Sequence, residues 1–152
     1  MKSAESKWAS LEPFFSVIEK GLSGSVDGGQ YFDYFTDDAV MEFPYAPAGT
    51  PERLNGREEI RKSFSGYGHI LFLEWAGDLI VHKVNDAKTV ILEYSGKGYG
   101  VKTKRPYNQR YVSVITIVDR KIVHWRDYWN IMESLAAIGG KDDLFEAMYK
   151  DL

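Results

Sequence analysis

The sequence contains no cysteine. Disulfides and thiolate-bound metals are therefore excluded, and stability has to come from a packed core. No apolar run approaches the ~20 residues that a membrane-spanning helix requires. The opening residues, Met1-Lys2-Ser3-Ala4-Glu5-Ser6, lead into no signal-peptide core, so the expected location is the cytoplasm. Neither sign of charge dominates: 19 Lys and Arg stand against 22 Asp and Glu, a net charge of -3. Lys and Arg form no dense patch, and nothing calls for nucleic acid as a partner.

At 152 residues the expectation is one domain spanning 1–152, with a core at about 11–140 and a C-terminal tail over 141–152. Aromatic residues make up 14% of the chain, including ten Tyr and four Trp. That supply suits a deep aromatic-lined cavity, and it equally suits an aromatic core. Apolar residues at helical spacing predict helices over 10–22, with Ser10 as N-cap, and over 30–35. A turn and short strand follow at 36–44, where Met41 and Phe43 share a face. Residues 45–53, with Pro47, Gly49 and Pro51, read as a loop. Asn55-Gly56-Arg57-Glu58 has the form of an N-cap with an acidic third residue, opening a helix over 56–64.

The second half reads as strands at 76–84, 89–101, 107–118 and 121–130, joined by short turns into an antiparallel meander. A short helix over 131–138 stops at Gly139-Gly140. The segment 142–152 is amphipathic and would act as a mobile flap near the mouth of any cavity. In the strand 89–101, Gly96, Gly98 and Gly100 recur at period two and so share a face. They leave room for a ligand or for bulky tryptophans, or they mark a bulge or bend.

The most informative stretch is Lys-Ile-Val-His-Trp-Arg-Asp-Tyr-Trp-Asn at 121–130. As a strand it places Val123, Trp125, Asp127 and Trp129 on one face, and Ile122, His124, Arg126 and Tyr128 on the other. A carboxylate between two indoles would lose water, which favours its neutral form and makes it a usable proton carrier. The alternative is a structural Asp127 paired with a buried arginine, such as Arg110 or Arg53, or capping a backbone group. On the neighbouring strand Gln109, Tyr111, Ser113, Ile115 and Ile117 form one face, and Arg110, Val112, Val114 and Thr116 the other. Both faces are partly apolar. The helices can cover only one, which predicts a homodimer through the second, with Val112, Val114, Ile122 and Tyr128 in the contact.

The motifs Phe35-Thr36-Asp37-Asp38-Ala39-Val40, Asn55-Gly56-Arg57-Glu58-Glu59-Ile60 and Ile122-Val123-His124-Trp125-Arg126-Asp127-Tyr128-Trp129, in this order of elements, resemble the SnoaL-like branch of the nuclear transport factor 2-like superfamily. The resemblance covers about 11–140. It implies an α+β fold: a cone-shaped, curved antiparallel sheet wrapped over N-terminal helices, with an internal pocket and, in many relatives, dimerisation through the outer sheet face. Asp127 matches one aspartate of the Asp-Arg-Asp group of limonene epoxide hydrolase, but the other two positions fall on Tyr94 and Gly96, so that group is absent. Phe43 stands where ketosteroid isomerases carry their base, before Pro44. The third-helix histidine of phenazine-biosynthesis relatives has no counterpart in 56–64. The pattern that remains is that of SnoaL-type cyclases, which use a single aspartate in an apolar pocket.

Two functions follow from this likeness. One is a cofactor-free acid/base enzyme, a cyclase, isomerase or dehydratase, acting on an apolar polycyclic or terpenoid-like molecule. Asp127 would be catalytic, Gln109 and Tyr111 would orient it or bind a carbonyl, and Trp125, Trp129, Met41, Phe43, Gly96 and Gly98 would form the pocket. The other is a non-catalytic small-molecule binding protein. No metal ligand is expected, because His69, His82 and His124 fall on separate elements without paired spacing.

Overall fold

A computed structural model describes residues 7–139. The expected flap at 142–152 lies outside the described residues. A 3-10 turn (Ala9–Leu11) leads into α1 (Glu12–Gly21), and a second turn (Tyr31–Tyr34) leads into β1 (Phe35–Glu42). Then come β2 (Arg53–Asn55), α2 (Arg57–Ser65), β3 (Leu71–Lys83), β4 (Thr89–Gly100), β5 (Pro106–Val118), β6 (Lys121–Trp129) and α3 (Ile131–Ile138). The strands form one sheet in the order β2-β1-β6-β5-β4-β3. All neighbours are antiparallel except β1 and β6, which run parallel. The fold is the α+β cone of the nuclear transport factor 2-like proteins.

Phe14, Val17 and Ile18 of α1 are buried, as their spacing requires. The helix starts later than expected. Leu11 is the N-cap residue, Ser10 is buried within the preceding turn, and Pro13 takes the first turn, where no backbone donor is missed. Residues 31–34 are a 3-10 turn and Phe35 already belongs to β1, so the expected helix over 30–35 is shorter and tighter. The loop 45–53 ends in the short strand β2, which buries Leu54 opposite Met41. At α2 the N-cap is Gly56, whose φ of 92° suits a residue without a β-carbon. Glu59 closes half of a capping box, its Oε2 accepting from the Asn55 backbone N–H at 2.8 Å.

β3 begins five residues before the expected 76, and it carries two irregularities, between Leu73 and Trp75 and between Gly77 and Ile80. These kinks bend the sheet. At Gly98 the backbone of β3 comes so near that a β-carbon would lie 1.9 Å from the Phe72 carbonyl oxygen. At Gly96 the vacated space is taken by the Tyr111 and Leu73 side chains, at 3.2 and 3.3 Å from where a β-carbon would be. The glycines thus serve the bend and the packing of protein against protein, and the space beside them is filled.

β5 alternates cleanly: Tyr107, Gln109, Tyr111, Ser113 and Ile115 are buried, while Arg110 and Val112 are exposed. β6 does not. Ile117 pairs with Ile122, yet Thr116 pairs with His124, so Val123 is an extra residue. The bulge turns Ile122 inward beside Trp125, and both are buried to within 1%. Ile122 therefore belongs to the core and not to the outer face where strict alternation places it.

Candidate active site

The β5–β6 register sets Asp127 opposite Ser113, on the concave face. Ser113 Oγ donates to Asp127 Oδ1 at 2.7 Å. The Tyr94 hydroxyl lies 2.8 Å from Ser113 Oγ. Because the serine proton is directed to the carboxylate, Tyr94 is the donor to Ser113, and the chain runs one way: tyrosine to serine to aspartate. Trp125 Nε1 also points at Oδ1, at a long 3.4 Å. The other oxygen, Oδ2, accepts no hydrogen bond among the described residues.

No cation reaches this carboxylate. Arg53 pairs with Glu42 at 3.1 Å, and Arg110 is exposed on the outer face. The structural reading of Asp127 as an arginine partner therefore has no arginine. Burial raises its pKa to about 6, with the Ser113 and Trp125 hydrogen bonds working the other way. Asp127 is half-buried as a residue.

Tyrosines surround it. Tyr94 stacks on Tyr111 with ring centroids 4.9 Å apart. The Tyr111 hydroxyl lies 3.0 Å from that of Tyr107, and the Tyr67 phenol adjoins both. Burial holds the phenols of Tyr31, Tyr67, Tyr94 and Tyr111 well above their ordinary pKa. The charge of Asp127 adds to that in Tyr31, Tyr67 and Tyr94. These phenols stay neutral across the working range of proteins and act as hydrogen-bonding groups only. Tyr31 is 4% exposed, and its hydroxyl has no partner among the described residues.

Several expected site residues have other tasks. Gln109 does not reach Asp127. Its Nε2 donates to the Asn130 carbonyl at 2.8 Å and to Ser134 Oγ at 3.1 Å, and its Oε1 accepts from the Asn130 N–H at 2.7 Å. It is a clamp that fixes α3 to the end of β6, a role that strand alternation cannot reveal. Tyr111 lies one inner-face pair away, opposite Trp129. Met41 and Trp125 are register partners in the parallel β1–β6 pair and both are buried. Trp125 stacks on Phe35 at 5.9 Å, and the half-buried Phe43 meets Trp129 edge-on at 5.5 Å. Ser113 and Tyr94 escaped the sequence reading as functional residues. Both lay in named strands, and a serine centred in an otherwise apolar inward face was the available signal.

Two concavities are present elsewhere. One of about 380 Å³ lies at the β3–β4 turn, beside Lys83, Ile117 and Arg120. The other, about 320 Å³, is lined by Tyr45, Arg110, Tyr111, Val112, Tyr128 and Trp129 and so ends one strand pair short of Asp127. Aromatic rings fill the interior between them: Phe14, Tyr31, Phe35, Phe64, Tyr94 and Trp125 are in mutual contact. Among the described residues no three His, Asp or Glu side chains converge as a metal site would need. His82 pairs with Glu93 at 2.7 Å and His124 with Glu42 at 2.8 Å. No helix among the described residues is long and apolar enough to cross a membrane.

Comparison with known proteins places this geometry in a family. The model of the SnoaL-like domain matches residues 23–125. The uncharacterized protein YesE of Bacillus subtilis is 37% identical over 141 residues, which covers 92% of each chain. A solved Bacillus subtilis structure with the provisional name isomerase superposes with a TM-score of 0.71 at 33% identity, over 87% of this chain and 91% of that one. A phenazine biosynthesis-related protein of Pseudomonas aeruginosa gives 0.65 at 15% identity, over 83% and 84%, a likeness of fold alone. With its cone, its curved sheet and a match across most of its length, the chain belongs to the SnoaL-like family of the nuclear transport factor 2-like superfamily.

Proposed function

We propose that this protein is an acid/base enzyme of cyclase, isomerase or dehydratase type, using Asp127 and no cofactor, on an apolar polycyclic or terpenoid-like molecule. One observation carries the reading: an enclosed carboxylate with no cationic partner, one oxygen committed to Ser113 and the other unpaired, and a pKa raised to about 6. Such a group exchanges a proton near neutral pH, where an ordinary aspartate stays ionised. Protonated, it can donate to a carbonyl or a departing hydroxyl. Ionised, it can take an acidic C–H proton. Ser113 and Tyr94 hold Oδ1 and leave Oδ2 to the substrate, while Trp125, Trp129, Met41 and Phe43 supply apolar surface beside it. The concavity ending at Tyr111 and Trp129 supports entry from that side. Some displacement of the interior rings accompanies binding.

The test is proton exchange. 2-Tetralone, a compact bicyclic ketone with acidic α-protons, is incubated with the protein in deuterated buffer near neutral pH and followed by NMR. The wild type accelerates α-deuteration, and Asp127→Asn abolishes the acceleration while still binding the ketone. Binding without exchange in the wild type favours the binding-protein reading. Equal exchange in both proteins removes Asp127 from the chemistry.

A further inference from the structure

We propose that Tyr31 is the second polar contact of this site, its hydroxyl and Asp127 Oδ2 together holding one oxygen, a carbonyl or enol oxygen on a planar apolar molecule. The inference rests on the reading of Asp127 as a substrate-facing group and goes past it by naming what that group shares. The other hydroxyls named around the carboxylate are committed within the protein. Tyr94 is bonded to Ser113, Ser113 to Asp127, and Tyr107 to Tyr111. Tyr31 alone of these has a buried hydroxyl with no partner among the described residues. A buried donor left unmade is destabilising, and native proteins keep few of them unless a ligand or an ordered water completes the bond.

The ring cannot swing out to find water. Phe15 stacks on it at 4.8 Å and Phe64 at 5.9 Å, and Trp125 meets it edge-on at 6.0 Å. That same Trp125 points Nε1 at Asp127, so tyrosine and carboxylate flank one indole. The backbone of the turn is tied to the carboxylate's own strand as well. Lys121 Nζ, at the start of β6, donates to the Asp27 and Asp33 carbonyls at 2.7 and 2.6 Å. Tyr31 and Asp127 are thus fixed relative to each other by two routes, one through side-chain packing and one through the strand.

The chemistry suits an oxygen in either of two states. A phenol donates one hydrogen bond and accepts another. With Asp127 protonated, both groups donate to a carbonyl oxygen. With Asp127 ionised, it accepts from an enol or phenol hydroxyl whose oxygen still receives the Tyr31 proton. Rings around the pair favour a flat apolar body on the remainder of the ligand.

The probes are 2-naphthol and naphthalene, which differ by one hydroxyl, with binding at pH 7 measured by equilibrium dialysis against wild type and Tyr31→Phe. The wild type is expected to prefer 2-naphthol. Tyr31→Phe should weaken 2-naphthol by about tenfold, the value of one hydrogen bond, leave naphthalene unchanged, and melt no lower than wild type. The inference is overturned if 2-naphthol binds the variant as well as it binds wild type, or if both probes weaken together. It is overturned also if the variant melts lower, because the hydroxyl then has a partner in the protein. Failure of the wild type to bind either probe overturns the ligand site itself. Loss of 2-tetralone exchange in Asp127→Asn, together with an unchanged Tyr31→Phe, overturns this inference alone.

Discussion

Replacing Asp127 with asparagine separates a poised acid from a structural carboxylate through the pH dependence of stability. In the folded state the pKa is about 6, against an ordinary value of 3.8. The folded protein holds a proton that the unfolded chain releases, so this group lowers stability as pH rises from about 4 to 6, and the loss is then constant. A difference of about two units corresponds to about 3 kcal/mol at pH 7. Residual solvent access to a half-buried residue reduces that to about 2–3 kcal/mol. Asparagine keeps the Ser113 bond but brings an amide N–H₂ where Oδ2 stood, at a fixed penalty of about 1–3 kcal/mol for unmade donors. The absolute change at pH 7 is therefore small. The informative quantity is its slope: between about pH 4 and pH 7 the variant should gain about 2–3 kcal/mol on wild type, roughly 5–10 °C in melting temperature. Thermal melts of both proteins across that range read it directly. A variant that is destabilised equally at every pH, or whose gap to wild type widens as pH rises, refutes the argument and means that an unseen cation holds Asp127 ionised.

Four other outcomes are expected. Gln109→Ala should destabilise by about 2–4 kcal/mol in urea unfolding and raise amide exchange in α3, because the junction between β6 and α3 loses its clamp. Gly98→Ala should cost about 2–4 kcal/mol, since the β3 backbone must move, whereas Gly96→Ala meets only side chains and should cost less than half as much by the same measurement. We expect a homodimer through Val112, Val114 and Tyr128, burying ~800 Å² per partner; sedimentation should show a dimer at micromolar concentration that Val112→Glu dissociates, and a monomeric wild type removes the proposal. For any substrate found, the rate should follow one ionisation near pH 6 and lack a second limb below pH 9, because the surrounding phenols titrate well above their ordinary range; a bell-shaped profile between pH 5 and 9 would require a second group in the site.

Much of this architecture is legible before folding, for a physical reason. The strands of the meander announce themselves by β-branched and aromatic residues between turn pairs, and α1 by its buried stripe. Register is less legible. Asp119 and Arg120 both have positive φ, 50° and 62°, as a two-residue hairpin of the primed type demands. That turn pairs Val118 with Lys121 and Ile117 with Ile122. Continued without interruption, it would set Asp127 opposite the outward-facing Val112 and turn both tryptophans to the outside. The chain resolves the conflict with one extra residue, Val123, and Ser113 becomes the partner of Asp127. Alternation gave the inner face of β5 correctly. It could not give the bulge, because a bulge is a compromise between the turn and the core, and neither is local to Val123. The parallel β1–β6 pairing is illegible for a like reason: those strands lie more than 70 residues apart, and no turn connects them.

The surroundings of Asp127 also explain why a lone aspartate is a workable site. An arginine beside a carboxylate stabilises the ionised form and lowers its pKa. Limonene epoxide hydrolase, which this chain resembles, carries an arginine and a second aspartate in its group, and the matching places here are Tyr94 and Gly96. Neither is charged. Tyr94 sends a hydrogen bond to Ser113, and Ser113 sends one to Oδ1. Two neutral links orient the carboxylate almost as firmly as a salt bridge would, yet they stabilise its charge far less. Burial then dominates, and the pKa rises to about 6 instead of falling. Gly96 contributes by absence, because the space that a side chain would occupy there holds the Tyr111 ring, which stacks on Tyr94 and fixes the first link. Replacing a charged pair by a tyrosine and a glycine thus converts a permanently ionised group into one that can carry a proton.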